Sequence, residues 1–270
     1  MKYFTFILLF LLLVAISSVN CQVNPLSTSS LLIELYDDSK KLGIATGFII
    51  EWENKHYLIT NWHVVTGKNP RTGEIKMPTG NIPSYIQIWH YYKRFGRWQK
   101  FQEELYYNNE PRWLEHPQGR NVDVIALPIE KKDEDIIFYP LDLSLADTDM
   151  LPEIAMAVSI IGFPNGMTGG ANLPIWKTGY IASEPELDYD GEPCFLIDAT
   201  TKGGMSGSPV IVSLFSGYRN KSKGSWIIGQ RTLFLGVYSG RKLRKSEEWP
   251  LEEIGVVWKA RVINEILENK

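Results

Sequence analysis

Short apolar stretches separated by Gly, Pro and Asn recur along the chain from Leu31 onwards, a rhythm that predicts many short strands and an all-β architecture. Strands are expected at 31–36, 43–52, 57–60, 85–92 and 122–128, enough to curl a first antiparallel β-barrel within residues 27–145. A second set at 154–163, 175–183, 193–198, 209–214, 226–228 and 234–238 would build a second barrel within 146–270. The pattern changes near the C-terminus. Over 257–267, Trp258, Val262, Ile263, Ile266 and Leu267 fall on one face at helical spacing, which predicts a terminal helix docked on a barrel. The aromatic-rich stretch between Trp89 and Trp113, with Tyr91, Tyr92, Phe95, Trp98, Phe101, Tyr106 and Tyr107, reads as strands and hairpins packing the first barrel; a substrate platform is the competing reading.

Residues 1–21 stand apart. Met1-Lys2 precedes an apolar run from Phe4 to Ile16 and then small and polar residues, the layout of a signal peptide with cleavage between 17 and 21. The run is shorter than the roughly 20 residues a membrane-spanning helix needs, and Asn20 spoils the sequence before Cys21 as a lipid-attachment motif. The expected location is therefore secreted, extracellular or periplasmic, with no membrane contact after signal removal.

Size and charge change the picture little. The 270 residues are 44% hydrophobic and 22% charged, and a chain of this length buries roughly 70–75% of its unfolded surface, sufficient for two barrels. A net charge of -3 without a basic stripe gives no reason to expect nucleic acid as a partner. The run Arg241 to Lys245 reads as a solvated loop. Only Cys21 and Cys194 are present, so signal removal after Cys21 leaves a single thiol on an apolar strand and no internal disulfide. Asn220-Lys221-Ser222 is a glycosylation sequon in a polar loop. Asp188-Tyr189-Asp190-Gly191-Glu192 holds part of a calcium-loop pattern but lacks the remaining oxygen ligands, and its Asp-Gly reads as a hairpin turn. Neither metal nor cofactor is expected.

The chemistry resides in three motifs: Thr60-Asn61-Trp62-His63-Val64-Val65, Asn121-Val122-Asp123-Val124, and Thr201-Lys202-Gly203-Gly204-Met205-Ser206-Gly207-Ser208-Pro209-Val210. A serine hydroxyl is a poor nucleophile until a histidine takes its proton and a carboxylate holds that histidine in the right tautomer. Gly204 and Gly207 let the backbone turn sharply around Ser206, so that the N–H groups of Gly204 and Ser206 converge on an oxygen that becomes negative during acyl transfer. Motif order removes the rivals. All four histidines, His56, His63, His90 and His116, precede Ser206, whereas an α/β-hydrolase needs its histidine after the nucleophile. A subtilisin order would require Asp37 or Asp38, which lie in no motif. Asp198 and Asp142 are further candidates for the carboxylate, and Asp123 is preferred for its place beside a strand-like run.

Together with Gly47-Phe48-Ile49-Ile50, Ile161-Gly162-Phe163-Pro164 and Ile197-Asp198-Ala199-Thr200, these motifs resemble the trypsin-like serine peptidases of the chymotrypsin clan, and within it the HtrA-type and bacterial glutamyl endopeptidase branches. The likeness runs from about Leu31 to the C-terminus. It implies two antiparallel β-barrels and a secreted, monomeric serine endopeptidase acting on protein or peptide substrates through an acyl-enzyme on Ser206. An HtrA enzyme with its PDZ module would need about another hundred residues. The resemblance also implies an oxyanion hole from Gly204 and Ser206, a Ser239 hydroxyl that donates to the Asp123 carboxylate, and a substrate pocket formed by Thr200, Tyr238, Ser239 and Gly240. Zymogens of the digestive branch carry an aspartate just before the nucleophile. Met205 stands there, so signal removal alone is expected to give an active enzyme. With Thr200 on the pocket floor and Tyr238 where glutamyl endopeptidases place a histidine, a small or medium apolar residue is expected before the scissile bond; glutamate, reached by Arg241, is the second choice. An inactive protease-like binding protein and a peptidase gated by a loop are the alternative readings.

Overall fold

In a computed structural model of the chain, residues 23–75, 80–94, 96–241 and 253–270 are described. The signal segment, Phe95 and the run from Lys242 to Lys245 lie outside them. The N-terminal half contains β1 (Ser30–Asp37), β2 (Lys40–Trp52), β3 (Lys55–Thr60), the short helix α1 (Trp62–Thr66), β4 (Tyr85–Tyr92) and β5 (Trp98–Glu104). Short strands β6 (Tyr106–Tyr107), β7 (Glu110–Pro111) and β8 (Leu114–Glu115) follow, then β9 (Ile125–Ile129) and β10 (Ile136–Ile137). An antiparallel sheet runs in the order β10-β4-β1-β2-β3-β9-β8, with β5 branching from β4, while β6 and β7 pair with each other.

The C-terminal half contains β11 (Ala157–Gly162), β12 (Ile175–Ile181), β13 (Cys194–Asp198), β14 (Pro209–Leu214), β15 (Tyr218–Arg219), β16 (Trp226–Ile227), β17 (Arg231–Arg241) and β18 (Ile254–Lys259), and ends in helix α2 (Arg261–Glu268). Six of these strands close a barrel in the order β11-β12-β13-β18-β17-β14. The fold is therefore mostly β, with a terminal helix.

Side-chain alternation at a period of two sorts the apolar residues into three cores. On β2, Ile49 faces the interior of the first half with Leu31, Ile33, Leu58, Ile86 and Ile88, while Phe48 and Ile50 face the second half. On β14, Val210 and Val212 point into the closed barrel while Ile211 points back towards Phe48 and Phe234, whose rings meet edge-on with centroids 5.6 Å apart. The third core lies between the halves and is completed by α2, which contributes Val262, Ile263, Ile266 and Leu267. A strand buried on both faces cannot alternate apolar with polar, which is why these segments read as continuous apolar runs.

Two expected elements are corrected. The predicted helix at 257–267 is strand β18 followed by a helix that begins at Arg261. Trp258 belongs to the strand and pairs with Cys194 and Val237. Val256, Val257 and Trp258 favour extended backbone, and both flanking strands offer a ladder to the segment. The expected barrel strand at 226–228 instead forms a two-stranded ribbon with β15, outside the barrel. Asp123 sits just before β9 rather than within it. Of the aromatic stretch, Tyr91 and Trp113 are buried, and Trp98 packs edge-on against Tyr91 and Phe163. Asn220 is buried, with its amide donating to Asp149 and its carbonyl accepting from the N–H groups of Ser222 and Lys223; a glycan on that nitrogen would displace the Asp149 bond. Asp188, in the partial calcium pattern, accepts from Lys259 and Arg261 instead. Cys194 is buried on β13.

Two polar groups, one at the exposed edge of the sheet and one inside the first core, have contributions to stability that can be tested. Glu115, on β8, accepts from the indole N–H groups of Trp62 at 2.8 Å and Trp113 at 2.9 Å, tying α1 to the edge of the sheet. His90 is 3% exposed, lies between the rings of Phe101 and Phe138, and is pushed down to about 4 by burial, because the apolar surroundings disfavour its charged form. Glu115→Ala is expected to cost about 0.5–1.5 kcal/mol by removing the shared acceptor of two indole donors at an exposed position that water can partly fill, and Glu115→Gln to recover most of it, as read from urea midpoints. The unfolded chain protonates His90 near 6.5 but the folded chain only near 4, so its contribution is complete above pH 6.5 and declines as pH falls towards 4. Between pH 7 and 4, wild type should lose about 3 kcal/mol relative to His90→Leu, measured by denaturant unfolding at several pH values.

Candidate active site

The site forms where the two halves meet. Asn61 precedes α1, and its side-chain amide donates to the carbonyl of Asp123 at 2.7 Å, bringing the two motifs together across sixty residues of sequence. His63 on α1 then meets Asp123 twice: its backbone N–H donates to Oδ1 at 2.8 Å, and its Nδ1 lies 2.6 Å from Oδ2. Asp123 is 2% exposed, and its Oδ2 also accepts from the Ser239 hydroxyl of β17 at 2.5 Å. With Nδ1–H donating to the carboxylate, Nε2 is the acceptor nitrogen, and it faces the Ser206 hydroxyl at 3.1 Å. The structure thus brings together His63, Asp123, Ser206 and Ser239. Asp198 is exposed, and the side chain of Asp142 caps the 3-10 turn Leu143–Ala146, so neither competes for the carboxylate position.

Ser206 sits in a tight turn that needs glycine on both sides. Gly204 and Gly207 adopt φ of 90° and 86°, in the left-handed region, and a Cβ on Gly207 would run into Thr46 and Thr60. The carbonyls of four consecutive residues in the turn each meet a donor. Gly203 O accepts from Asn165 N–H at 2.6 Å, Gly204 O from the Thr46 hydroxyl at 2.7 Å, Met205 O from Ser208 N–H at 3.0 Å and Ser206 O from Thr46 N–H at 2.9 Å. A planar trans peptide directs its N–H opposite to its carbonyl. Fixing Gly203 O and Met205 O therefore aims the N–H groups of Gly204 and Ser206 the other way, and neither has an acceptor among the described residues. Two unpaired donors beside a hydroxyl can receive an anionic oxygen. Met205 is fully buried in the second barrel, where it makes no ion pair.

A cleft of about 630 Å³ opens in front of Ser206, bounded on one side by Thr201, Lys202 and Gly203 and on the other by Tyr238, Ser239, Gly240 and Arg241. At its base the Thr201 hydroxyl meets the Tyr238 hydroxyl at 2.5 Å. Burial raises the Tyr238 hydroxyl above the ordinary tyrosine value, against the opposing pull of Thr201 and the Arg241 charge, so the base carries no charge near neutrality. The Tyr238 ring fits because Gly255 opposite it has no side chain. Thr200, expected on the floor, is exposed and 3.4 Å from Glu253 instead, while the adjacent Thr201 lines the cleft. Loop residues Asn69, Pro70 and Arg71 close another edge of the cleft, where Arg71 reaches Glu192 of the opposite half through paired bonds of 2.9 and 2.8 Å. Sequence reasoning passed over Thr46, Asn165, Thr201 and Arg71. All four act through contacts distant in sequence: Thr46 and Asn165 only adjoin recognised motifs, and Thr201 opens the nucleophile motif without any local sign of its partner Tyr238.

The family model described as "Trypsin-like peptidase domain" matches residues 45–213, a span that contains His63, Asp123 and Ser206. None of the curated proteins matches the chain. Among solved structures, the active form of the Rv3671c protease from M. tuberculosis is 18% identical, with 90% of this chain and 80% of that one covered and a TM-score of 0.45. The inactive form of the same protease gives 18% identity, 91% and 92% coverage and a TM-score of 0.46. The serine endoprotease from Yersinia pestis gives 15%, 93% and 67%, and 0.49. With the matched span covering more than half of its length, the chain belongs to the trypsin-like peptidase domain family.

Proposed function

We propose that the protein is a secreted serine endopeptidase in which Ser206 is acylated. The observation that carries this reading is the chain of contacts from Ser239 through Asp123 and His63 to the Ser206 hydroxyl, beside two N–H groups without acceptors among the described residues. His63 Nε2 removes the Ser206 proton as Oγ attacks the substrate carbonyl carbon, and the carbonyl oxygen takes the negative charge into the hole formed by the N–H groups of Gly204 and Ser206. The imidazolium, held by Asp123, returns the proton to the departing amine, and the acyl-enzyme remains on Ser206. Water, deprotonated by the same nitrogen, attacks this ester and frees the enzyme. Export rests on the N-terminal apolar run, and among the described residues no helix is long and apolar enough to cross a membrane.

The neutral pair of Thr201 and Tyr238 supports an uncharged residue before the scissile bond. A pocket of this kind gains chiefly from apolar burial, at roughly 25 cal/mol per Å², and the Tyr238 ring occupies its deep end, which favours a small or medium side chain. Arg241 on the cleft wall keeps glutamate as the second choice.

Fluorophosphonate treatment followed by mass spectrometry is expected to place one adduct on Ser206 and none on Ser206→Ala; a protease-like binding protein would take no adduct. Ser206→Ala and His63→Ala should each lower peptide turnover by about 10⁴-fold or more, and Asp123→Asn by about 10⁴-fold through loss of the required tautomer. Wild-type turnover in Ser206→Ala would overturn the mechanism. A cleavage-site profile on a denatured proteome should show cutting after small or medium apolar residues, and dominant cutting after Glu, Lys or Arg would show that the hydroxyl pair does not set the preference.

A further inference from the structure

The turn that carries Ser206 is gripped by one residue of the other half. Thr46 lies on β2 and is fully buried, and every polar atom it owns is engaged. Its N–H donates to Ser206 O at 2.9 Å, its hydroxyl donates to Gly204 O at 2.7 Å and accepts from Phe163 N–H at 3.1 Å, and its carbonyl accepts from the Thr60 hydroxyl at 2.8 Å. The hydroxyl therefore joins three segments: β2, the end of β11 and the nucleophile turn. Gly162 makes room for it, since a Cβ there would lie 2.8 Å from the Thr46 oxygen and would run into the Ser208 hydroxyl.

This matters for the two N–H groups that define the hole. A glycine at φ 90° has shallow rotational wells, so the peptides flanking Gly204 hold their orientation through the hydrogen bonds they make, the shortest of them at their carbonyls. The peptide before Gly204 is held by Asn165, whose backbone follows directly on Phe163 and Pro164. The peptide after it is held by the Thr46 hydroxyl at 2.7 Å and by a longer bond of 3.4 Å from Met205 N–H to Lys202 O, and that same hydroxyl fixes Phe163, at the root of the Asn165 segment. One oxygen thus controls both neighbours of Gly204, one directly and one through Phe163.

The geometry points to Thr46 as a positioning residue that keeps the oxyanion hole assembled, by anchoring Gly204 and the Phe163–Asn165 segment through a single hydroxyl. It touches neither substrate nor reacting atoms and acts through Gly204. The inference rests on the serine-peptidase reading and adds to it that the hole is held from the opposite half of the molecule, so that correct seating of the two halves and the capacity to stabilise the oxyanion are one property.

The test uses Thr46→Val, which keeps the shape and the backbone N–H but removes the hydroxyl, beside Thr46→Ser, which keeps the hydroxyl. Losing one oxyanion donor costs about 10²–10³-fold in kcat, so partial misorientation in Thr46→Val should lower kcat by about 10–10²-fold with KM little changed. A peptide boronic acid, whose tetrahedral adduct places an oxygen in the hole, should lose affinity in proportion to kcat/KM, whereas a non-covalent product peptide should bind as to wild type. Thr46→Ser should recover most of the turnover. If the valine variant fails to fold, as judged by thermal unfolding, Thr46→Ala is read by the same ratio of boronate to product affinity. A folded variant lacking the hydroxyl whose kcat and boronate affinity match wild type overturns the inference. That result leaves the peptidase reading intact so long as fluorophosphonate still labels Ser206; absence of labelling in wild type would instead sink the peptidase reading itself.

Discussion

Burying the carboxylate of Asp123 is the constraint around which the molecule is arranged. A carboxylate at 2% exposure is tolerable only if its oxygens are met by donors, because an unsatisfied buried polar group costs on the order of 1–3 kcal/mol and a charged one more. Its donors come from two places far apart in the chain: α1 supplies the His63 N–H and Nδ1–H, and β17 supplies the Ser239 hydroxyl. The group is satisfied only when the N-terminal sheet and the closed barrel are seated on one another. The carboxylate that orients the histidine is thus also a group through which the halves are joined.

The same seam gathers most of the other chemistry. Thr46 crosses it to reach Gly204 and Phe163, Ser30 crosses it to donate to Ile161 O, and Trp176 donates back to Ser27. His116 meets Glu265 of α2 at 2.6 Å, and Gln118 N–H donates to the other ring nitrogen, so the terminal helix is tied to the first half as well as packed on the shared core. Residues such as Phe48, Ile161, Ile211 and Phe234 provide the apolar filling between these polar crossings. The result is a cleft whose walls belong to different halves but whose geometry is set by interactions saturated on both sides.

Much of the site could be read from the residues themselves. A glycine-framed serine, a histidine after Asn61-Trp62 and an aspartate beside an apolar run are recognisable because their chemistry demands particular residue types within a few positions of one another. Ser239 was reached through the family resemblance instead. Register was harder: Thr200 and Thr201 are adjacent and chemically identical, and a single step along an extended chain turns a side chain from cleft to solvent. Val256, Val257 and Trp258 illustrate a second limit, since Trp258 fits a helical face with Val262 and Ile266 as well as it fits a strand. The barrel decided in favour of the strand, because β13 and β17 offered it ladders on both edges.

By itself, the amino-acid sequence determined the fold class, the family likeness and the identity of the three residues that meet at the cleft, all of which depend on local residue chemistry and on the order of motifs. Tertiary structure alone decided which threonine lines the cleft, that Thr46 bonds the turn carrying Ser206, that Glu115 serves two indoles, and that Asn220 is buried. Each of these depends on a partner brought close only by folding or on burial created only by packing. The hydroxyl of Thr46 is one of many along the chain until the two halves close and place Gly204 O 2.7 Å away, a contact spanning 158 positions of sequence that no local pattern encodes.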